Sequence, residues 1–200
     1  MSPVDVLRLE ADIAIQLEQP KAKDLKVRKI GRLHSMPFAA KSYVSEWGNP
    51  RTYADLMHHQ IVWQDANQVT PLIDFPPALQ AVVREGRTSM RTNSSSAHYW
   101  AIASGLGIGA LATYAYAISD LITPVHVNLR TQHDIWLVYH ADSGRIARVQ
   151  AVIEWLAEIF SPRKNPWFGD KFIHPEDFAS LPVPDILHQS MRSRTSDGWK

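Results

Sequence analysis

The stretch Asn93 to Gly109, NSSSAHYWAIASGLGIG, decides how the chain is read, because a polar cluster, an amphipathic run and a glycine-punctuated exit follow without a break. Asn93, Ser94, Ser95 and Ser96 carry side chains suited to capping a helix whose first backbone N–H groups have no partner of their own. Trp100, Ala101 and Ile102 supply apolar surface, and Gly105 tolerates the left-handed conformation that ends a helix. Beyond it, Gly107 to Ala112 reads as a buried strand. A helix start of this kind can seat a carboxylate or other small anion through its free donors and its dipole, or it can do no more than cap the helix. The glycines at 105, 107 and 109 are not a dinucleotide loop, since that fingerprint follows a strand and opens a helix, whereas these close one.

Working back from this stretch, Thr88 to Thr92 is expected as a strand, Glu85-Gly86-Arg87 as a turn, and Leu79 to Val83 as a further strand. Asn67 to Pro77 is irregular. Gln60 to Trp63 reads as a buried strand opening at Gln64-Asp65 into a polar loop, a place where strand ends of α/β sheets present side chains to ligands. Thr52 caps a helix over Tyr53 to His58, and Lys41 to Trp47 is a short helix that Gly48-Asn-Pro50 cannot continue. Val27 to Leu33 alternates apolar and basic residues as a half-exposed strand does, and the lysine-rich Lys21 to Lys26 is a solvated loop. Ala11 to Leu17 is an apolar run fit for a buried parallel strand, and Val4 to Glu10 a short helix.

Forward of the central stretch come a brief helix around Tyr114 to Ile118, an alternating strand over Val125 to Leu129, and the strand Asp134 to Tyr139. Ser143-Gly144 opens the clearest helix, in which Ile146, Val149, Val152, Ile153, Leu156, Ile159 and Phe160 share one face expected to be covered by a sheet. Pro162 stops it, and four later prolines, Pro166, Pro175, Pro182 and Pro184, mark 163–200 as an irregular tail. Trp100, Trp136, Trp155 and Tyr139 sit in apolar runs and are expected to pack in the core. Strands alternating with helices predict an α/β fold with largely parallel sheets.

Composition narrows the function. With 200 residues, 45% of them hydrophobic, the chain can build one sizeable domain or two small lobes. A net charge of +1, from 21 basic and 20 acidic residues, supplies no global field toward DNA or membrane. There is no cysteine, hence no disulfide or thiolate site, and no secretory signal or membrane-length apolar run, which points to the cytoplasm. Nine histidines include the adjacent His58 and His59, but no His-Glu-x-x-His, Gly-x-Ser-x-Gly or carboxylate–histidine motif accompanies them. Adjacent histidines on a helix face different sides, so no metal, cofactor or enzymatic chemistry is expected. His98 can line a cleft or pack in the core.

In order along the chain, these pieces resemble the effector-binding domain of LysR-type transcriptional regulators, relatives of type 2 periplasmic binding proteins. Glu10-Ala-Asp-Ile-Ala-Ile15 looks like the family's aliphatic strand, and Asp24 to Leu33 like its crossing segment. Phe38 to Tyr43 and Pro50 to Leu56 resemble its two following helices, Asn93 to Ala112 its polar helix start and Gly-Leu-Gly-Ile, and Ile135 to Tyr139 with Arg145 to Phe160 its return strand and closing helix. The resemblance covers about residues 4 to 162. It implies two α/β lobes: lobe I from 1–33 and 131–162, incomplete for want of its opening strands, and lobe II over 34–130. A small, anionic effector would lie in the cleft between them, bound by Gln64, by Thr92, Asn93, Ser94 and Ser95, and at the end of the first strand by Gln16 beside Leu17. It implies a cytoplasmic bacterial homo-oligomer that reaches DNA only through a winged helix-turn-helix missing from this chain. A solute-binding protein of a transport system shares the fold and is the alternative, as is a regulator remnant without function. A truncated lobe I would leave unpaired strand edges and an uncovered closing helix.

Overall fold

A computed structural model describes residues 11–20, 24–65, 74–85 and 87–180. The expected helix over Val4 to Glu10, most of the Lys21 loop, most of the Asn67 segment, and Gly86 lie outside them.

The described residues form two compact units, and the chain passes from the first to the second within one long strand. The first unit takes residues up to His34 and from Thr131 to Phe172; the second takes Ser35 to Asp65, most of the chain on to Arg130, and residues from Ile173.

In the first unit, β1 (Ile13–Gln16) pairs with β7 (Thr131–His140), and β7 is followed in the sheet by β2 (Leu25–Ala40). Here the sequence reading is corrected: β1 runs antiparallel to β7, with Ile15 opposite Leu137 and Gln16 opposite Trp136. An apolar run does not reveal strand direction, because β-branched residues suit a covered strand of either kind. Ala14 and Val138 are buried together with Leu25, Val27 and Trp136 packed about them, whereas Ile15 on the opposite face is exposed.

After a single turn of 3₁₀ helix at Ser143–Arg145, α5 (Ala147–Ile159) buries only Val149 and Ile153. Ile146 at the N-cap and Val152 and Trp155 on the helix are exposed, so the expected apolar face is covered in part only, and Trp155 is not a core residue. The segment after Pro162 folds back on the unit. Asn165 donates to the carbonyl of Ile159 at 2.6 Å, closing the end of α5, and Trp167 in the turn Pro166–Phe168 is 1% exposed. Lys29 and Arg32 of β2 both reach Asp134 of β7, at 3.0 and 2.7 Å, and Lys29 also reaches Asp170 at 2.8 Å. The guanidinium of Arg32 holds the Asp134 carboxyl below the ordinary carboxylate range, and the Lys29 ammonium does the same for Asp170.

In the second unit, the far half of β2 pairs antiparallel with β5 (Gly109–Ala112) and β6 (Ile122–Pro124), while β3 (Gln60–Gln64) and β4 (Arg87–Thr92) form the parallel pair. The expectation of largely parallel sheets therefore holds for that pair alone among the registers described. Around β3 gather α1 (Lys41–Trp47), α2 (Tyr53–Leu56) and α3 (Pro77–Glu85), burying Tyr43, Leu56, Leu79, Val82 and Val83 in one core with Ile61 and Ile108. Leu79 to Val83 is thus helix, not strand. The burial of Leu79, Val82 and Val83 at spacings of three and four places them on one helical face, and Pro77 suits a first turn. Val125 to Leu129 is not a strand either. The ladder ends at Pro124, yet Val125 and Val127 remain buried, so their alternation reflects an extended segment packed on the core outside the sheet.

Candidate functional site

The central stretch folds largely as its residues dictate. Ser94 is the N-cap of α4 (Ser95–Ala103), accepting from the Ala97 amide at 3.4 Å. At the other end, Gly105 at φ 82° donates to the Ile102 carbonyl and Leu106 to that of Ala101, both at 3.0 Å, the paired bonds of a left-handed helix stop. The chain then returns through Ile108, whose amide donates to the Gln60 carbonyl and whose carbonyl accepts from Val62, each at 2.8 Å, so α4 is tied to β3. Gly109 is the close point: a Cβ there would stand 2.8 Å from His98 Nε2 and 2.6 Å from Ile102 Cδ1.

His98 resolves as a core residue. It is 1% exposed, its Nε2 lies 3.1 Å from the Val62 carbonyl, and burial pushes its pKa down. Trp100, one residue from Tyr99 and stacked edge-on against it, is exposed, so the expectation of core packing for Trp100 is also corrected. Tyr99 and His98 take the inward positions instead, Tyr99 holding Ser119 through a 2.8 Å hydrogen bond.

At the start of α4 the second unit brings together five of the residues singled out from sequence. Gln64 ends β3 and Thr92 ends β4, opposite each other in register. Gln64 Nε2 donates to Ser95 Oγ at 2.9 Å, and the Ser94 amide donates to Thr92 Oγ1 at 3.1 Å. Asn93, Ser94 and Ser95 are exposed, and among the described residues the amides of Ser95 and Ser96 have no acceptor. Two free donors at a helix start carrying roughly half a positive charge lie beside an amide and hydroxyls that can give or accept hydrogen bonds. Gln16 lies in the first unit, at the end of β1 opposite Trp136.

Sequence reasoning did not single out the charged neighbours. Asp65 accepts from Trp63 Nε1 at 2.8 Å and pairs with Arg91 at 3.3 Å, while Arg91 also donates to the Val83 carbonyl. The signal was available in β4, where Arg91 alternates outward with Arg87 and Ser89. His59, by contrast, is committed to structure. Its Nδ1 lies 3.2 Å from the Tyr43 hydroxyl, and burial lowers its pKa. Among the described residues, no group of three or more histidines, cysteines or acids is arranged to hold a metal ion, and no helix is long and apolar enough to cross a membrane.

Two α/β units joined through a shared long strand, with a polar helix start at the ends of a parallel pair, define a domain with the periplasmic-binding-protein-like fold. The LysR substrate binding domain model matches residues 2–161, and the chain belongs to that family. Solved structures agree on the fold. The regulatory domain of CrgA, a LysR-type transcriptional regulator from Neisseria meningitidis, aligns with a TM-score of 0.59 at 18% identity over 77% of this chain and 78% of that one. The regulatory domain of AphB from Vibrio vulnificus gives 0.53 at 17% identity over 78% of both chains. The regulatory domain of Synechocystis CcmR, solved in complex with 2-PG, gives 0.54 at 16% identity over 77% of this chain and 76% of that one. No curated protein matches the chain.

Proposed function

We propose that this chain is the effector-sensing and oligomerising part of a LysR-type transcriptional regulator, cytoplasmic and without catalytic activity, and that it binds a small anionic metabolite at the start of α4. The observation that carries the reading is the Gln64–Ser95 hydrogen bond beside the two free amides of Ser95 and Ser96. The donors there exceed what capping alone uses, since Ser94 already satisfies Ala97. In this reading Thr92, Asn93, Ser94, Ser95 and Gln64 hold the anion. The CcmR regulatory domain, solved in complex with 2-PG, is a precedent for a ligand held by a domain of this fold. DNA contact would be made by a winged helix-turn-helix outside this chain.

The test is a thermal-shift and calorimetric screen of small carboxylates and phosphate esters against the parent chain and Gln64→Leu. Binding of an anion that stabilises the parent and is weakened at least tenfold in Gln64→Leu, a loss of about 1.4 kcal/mol, supports the reading. An anion that binds both equally removes Gln64 and the α4 start from the site.

A further inference from the structure

The outer face of α5 has an order along its length. Val149 and Ile153 turn inward, and on the other side the helical repeat gathers Arg148, Ala151, Trp155 and Glu158 onto one exposed face, with Val152 at its margin. From helix start to helix end this face is basic, then small, then large and aromatic, then acidic. Its charges are the reverse of what the helix alone favours. The first turn holds no acid and the last no base, so Arg148, second in the helix, and Glu158, last but one, both oppose the helix dipole. Within the chain this placement is only half compensated. Arg148 has no acidic partner among the described residues. Glu158 takes the Lys164 ammonium, but its carboxylate is 61% exposed and has oxygen lone pairs left for a second cation. On the flank Gln150 donates to Glu154 at 2.8 Å.

An identical face running the other way supplies what this one lacks. We propose that the outer face of α5 docks α5 of a second copy of this chain, the helices packing antiparallel about a two-fold axis beside residue 153. About that axis position 148 lies opposite 158, and 151 opposite 155. Each Arg148 then meets Glu158 of the other copy, and each Trp155 ring covers the small Ala151 of the other copy. A face that complements itself in both charge and size is what a two-fold contact requires. Antiparallel packing also sets the start of each helix beside the end of the other, where Arg148 and Glu158 meet dipole ends of the opposite sign. From Arg148 to Glu158 the face is about 15 Å long. That is less than the roughly 1,200 Å² of total buried surface at which stable interfaces begin, so the pairing is weak. The chain is monomeric at the concentration of about 1 µM that suits fluorescence-monitored unfolding, and pairs at some hundreds of µM. This inference rests on the oligomerising part of the proposed function and gives it a surface and a partner.

Sedimentation equilibrium of the whole chain between about 5 and about 500 µM compares the parent, Arg148→Glu, Glu158→Arg and an equimolar mixture of the two variants. The parent's average mass is expected to rise from that of one chain toward twice that. Each variant alone sets like charges together at both ends of the pair, which raises the dissociation constant about tenfold or more. The mixture is expected to pair about as tightly as the parent, because the two substituted ends attract and the unsubstituted ends keep the native pair. A parent that associates, with both variants associating equally well, overturns the proposal and leaves the oligomerising reading standing. Variants that weaken pairing without recovery in the mixture overturn the antiparallel two-fold contact. A parent that stays monomeric throughout leaves the face to another occupant and overturns both readings. Should a variant lose its helical circular dichroism, a spin label at Ala147→Cys decides, its position unique because the chain has no cysteine. Antiparallel pairing sets the two labelled positions about 20 Å apart, and no such distance at pairing concentrations refutes it.

Discussion

Replacing Gly107 by alanine tests the deciding stretch more sharply than any change at its polar end, because Gly105→Ala two residues away provides a matched control. Gly105 has φ 82° and open space around it, the nearest atom to an added Cβ being Ser42 Oγ at 3.7 Å. Its replacement costs only the left-handed conformation, about 1–2 kcal/mol. Gly107, at φ 153°, would place a Cβ 2.7 Å from the Gln60 carbonyl carbon and 2.9 Å from Gln60 Cβ, with the carbonyl oxygen closer still. Those atoms cannot step aside cheaply. The same carbonyl accepts from Ile108, and the Gln60 amide donates to Tyr43 Oη at 2.9 Å, so yielding there would disturb the join of β3 both to the α4 exit and to α1. Overpacking of this kind adds about 1–3 kcal/mol to the strain, for a total of roughly 3 kcal/mol or more. With a urea dependence of about 3 kcal/mol per M, Gly107→Ala should lower the unfolding midpoint by about 1 M and Gly105→Ala by about half that, followed by tryptophan fluorescence. A Gly107→Ala midpoint equal to that of Gly105→Ala would show that β3 and the α4 exit are not joined at Gln60, and the derivation of the site's scaffold would fall.

Two further outcomes follow from burial. Trp167→Ala should cost about 3–5 kcal/mol while Trp155→Ala stays within about 0.5 kcal/mol, because Trp167 is 1% exposed and Trp155 is 50% exposed; equal urea midpoints for the two variants would contradict the packing of the segment after Pro162. His98 and His59 have pKa values lowered by burial, so above the ordinary value of about 6.5 neither state gains a proton and their neutral forms cost nothing. As pH falls below that value the unfolded chain takes up protons that the folded one refuses, and stability declines until the folded values are reached. The midpoint in urea should therefore drop between pH 7 and 5, and less steeply in His98→Gln; an unchanged slope in that variant would sink the assignment.

Much of the second unit was legible because short-range chemistry decides it. Thr52 and Asp55 form a reciprocal cap, with the Asp55 amide donating to Thr52 Oγ1 at 3.1 Å and the Thr52 amide to Asp55 at 3.0 Å, and Ser94 with Gly105 delimits α4. The misreadings share one cause. Leu79 to Val83 is a short apolar run that suits strand and helix alike until the core shows which faces are filled, and Val125 to Leu129 alternates because it lies extended on that core without a partner strand. Trp100 and Trp155 look internal by composition, yet their helices turn other residues inward. At the site, the sequence marked the α4 start as a set of donors, but the pairing of Gln64 with Ser95 needed β3 and β4 laid side by side in register.

By itself, then, the sequence determined what depends on neighbours along the chain: helix starts and stops, the strands β3 and β7 with the Val27–Leu33 part of β2, and an order of motifs distinctive enough to indicate the LysR family. Only the tertiary structure decided strand direction, which tryptophans are covered, and that Trp167, Phe168 and Phe178 beyond Pro162 are buried. Each of these rests on contacts between residues far apart in sequence, such as Gly31 with Phe168 or Lys29 with Asp170. Local patterning cannot encode such contacts, because the same apolar or charged side chain stabilises whichever surface the fold presents to it.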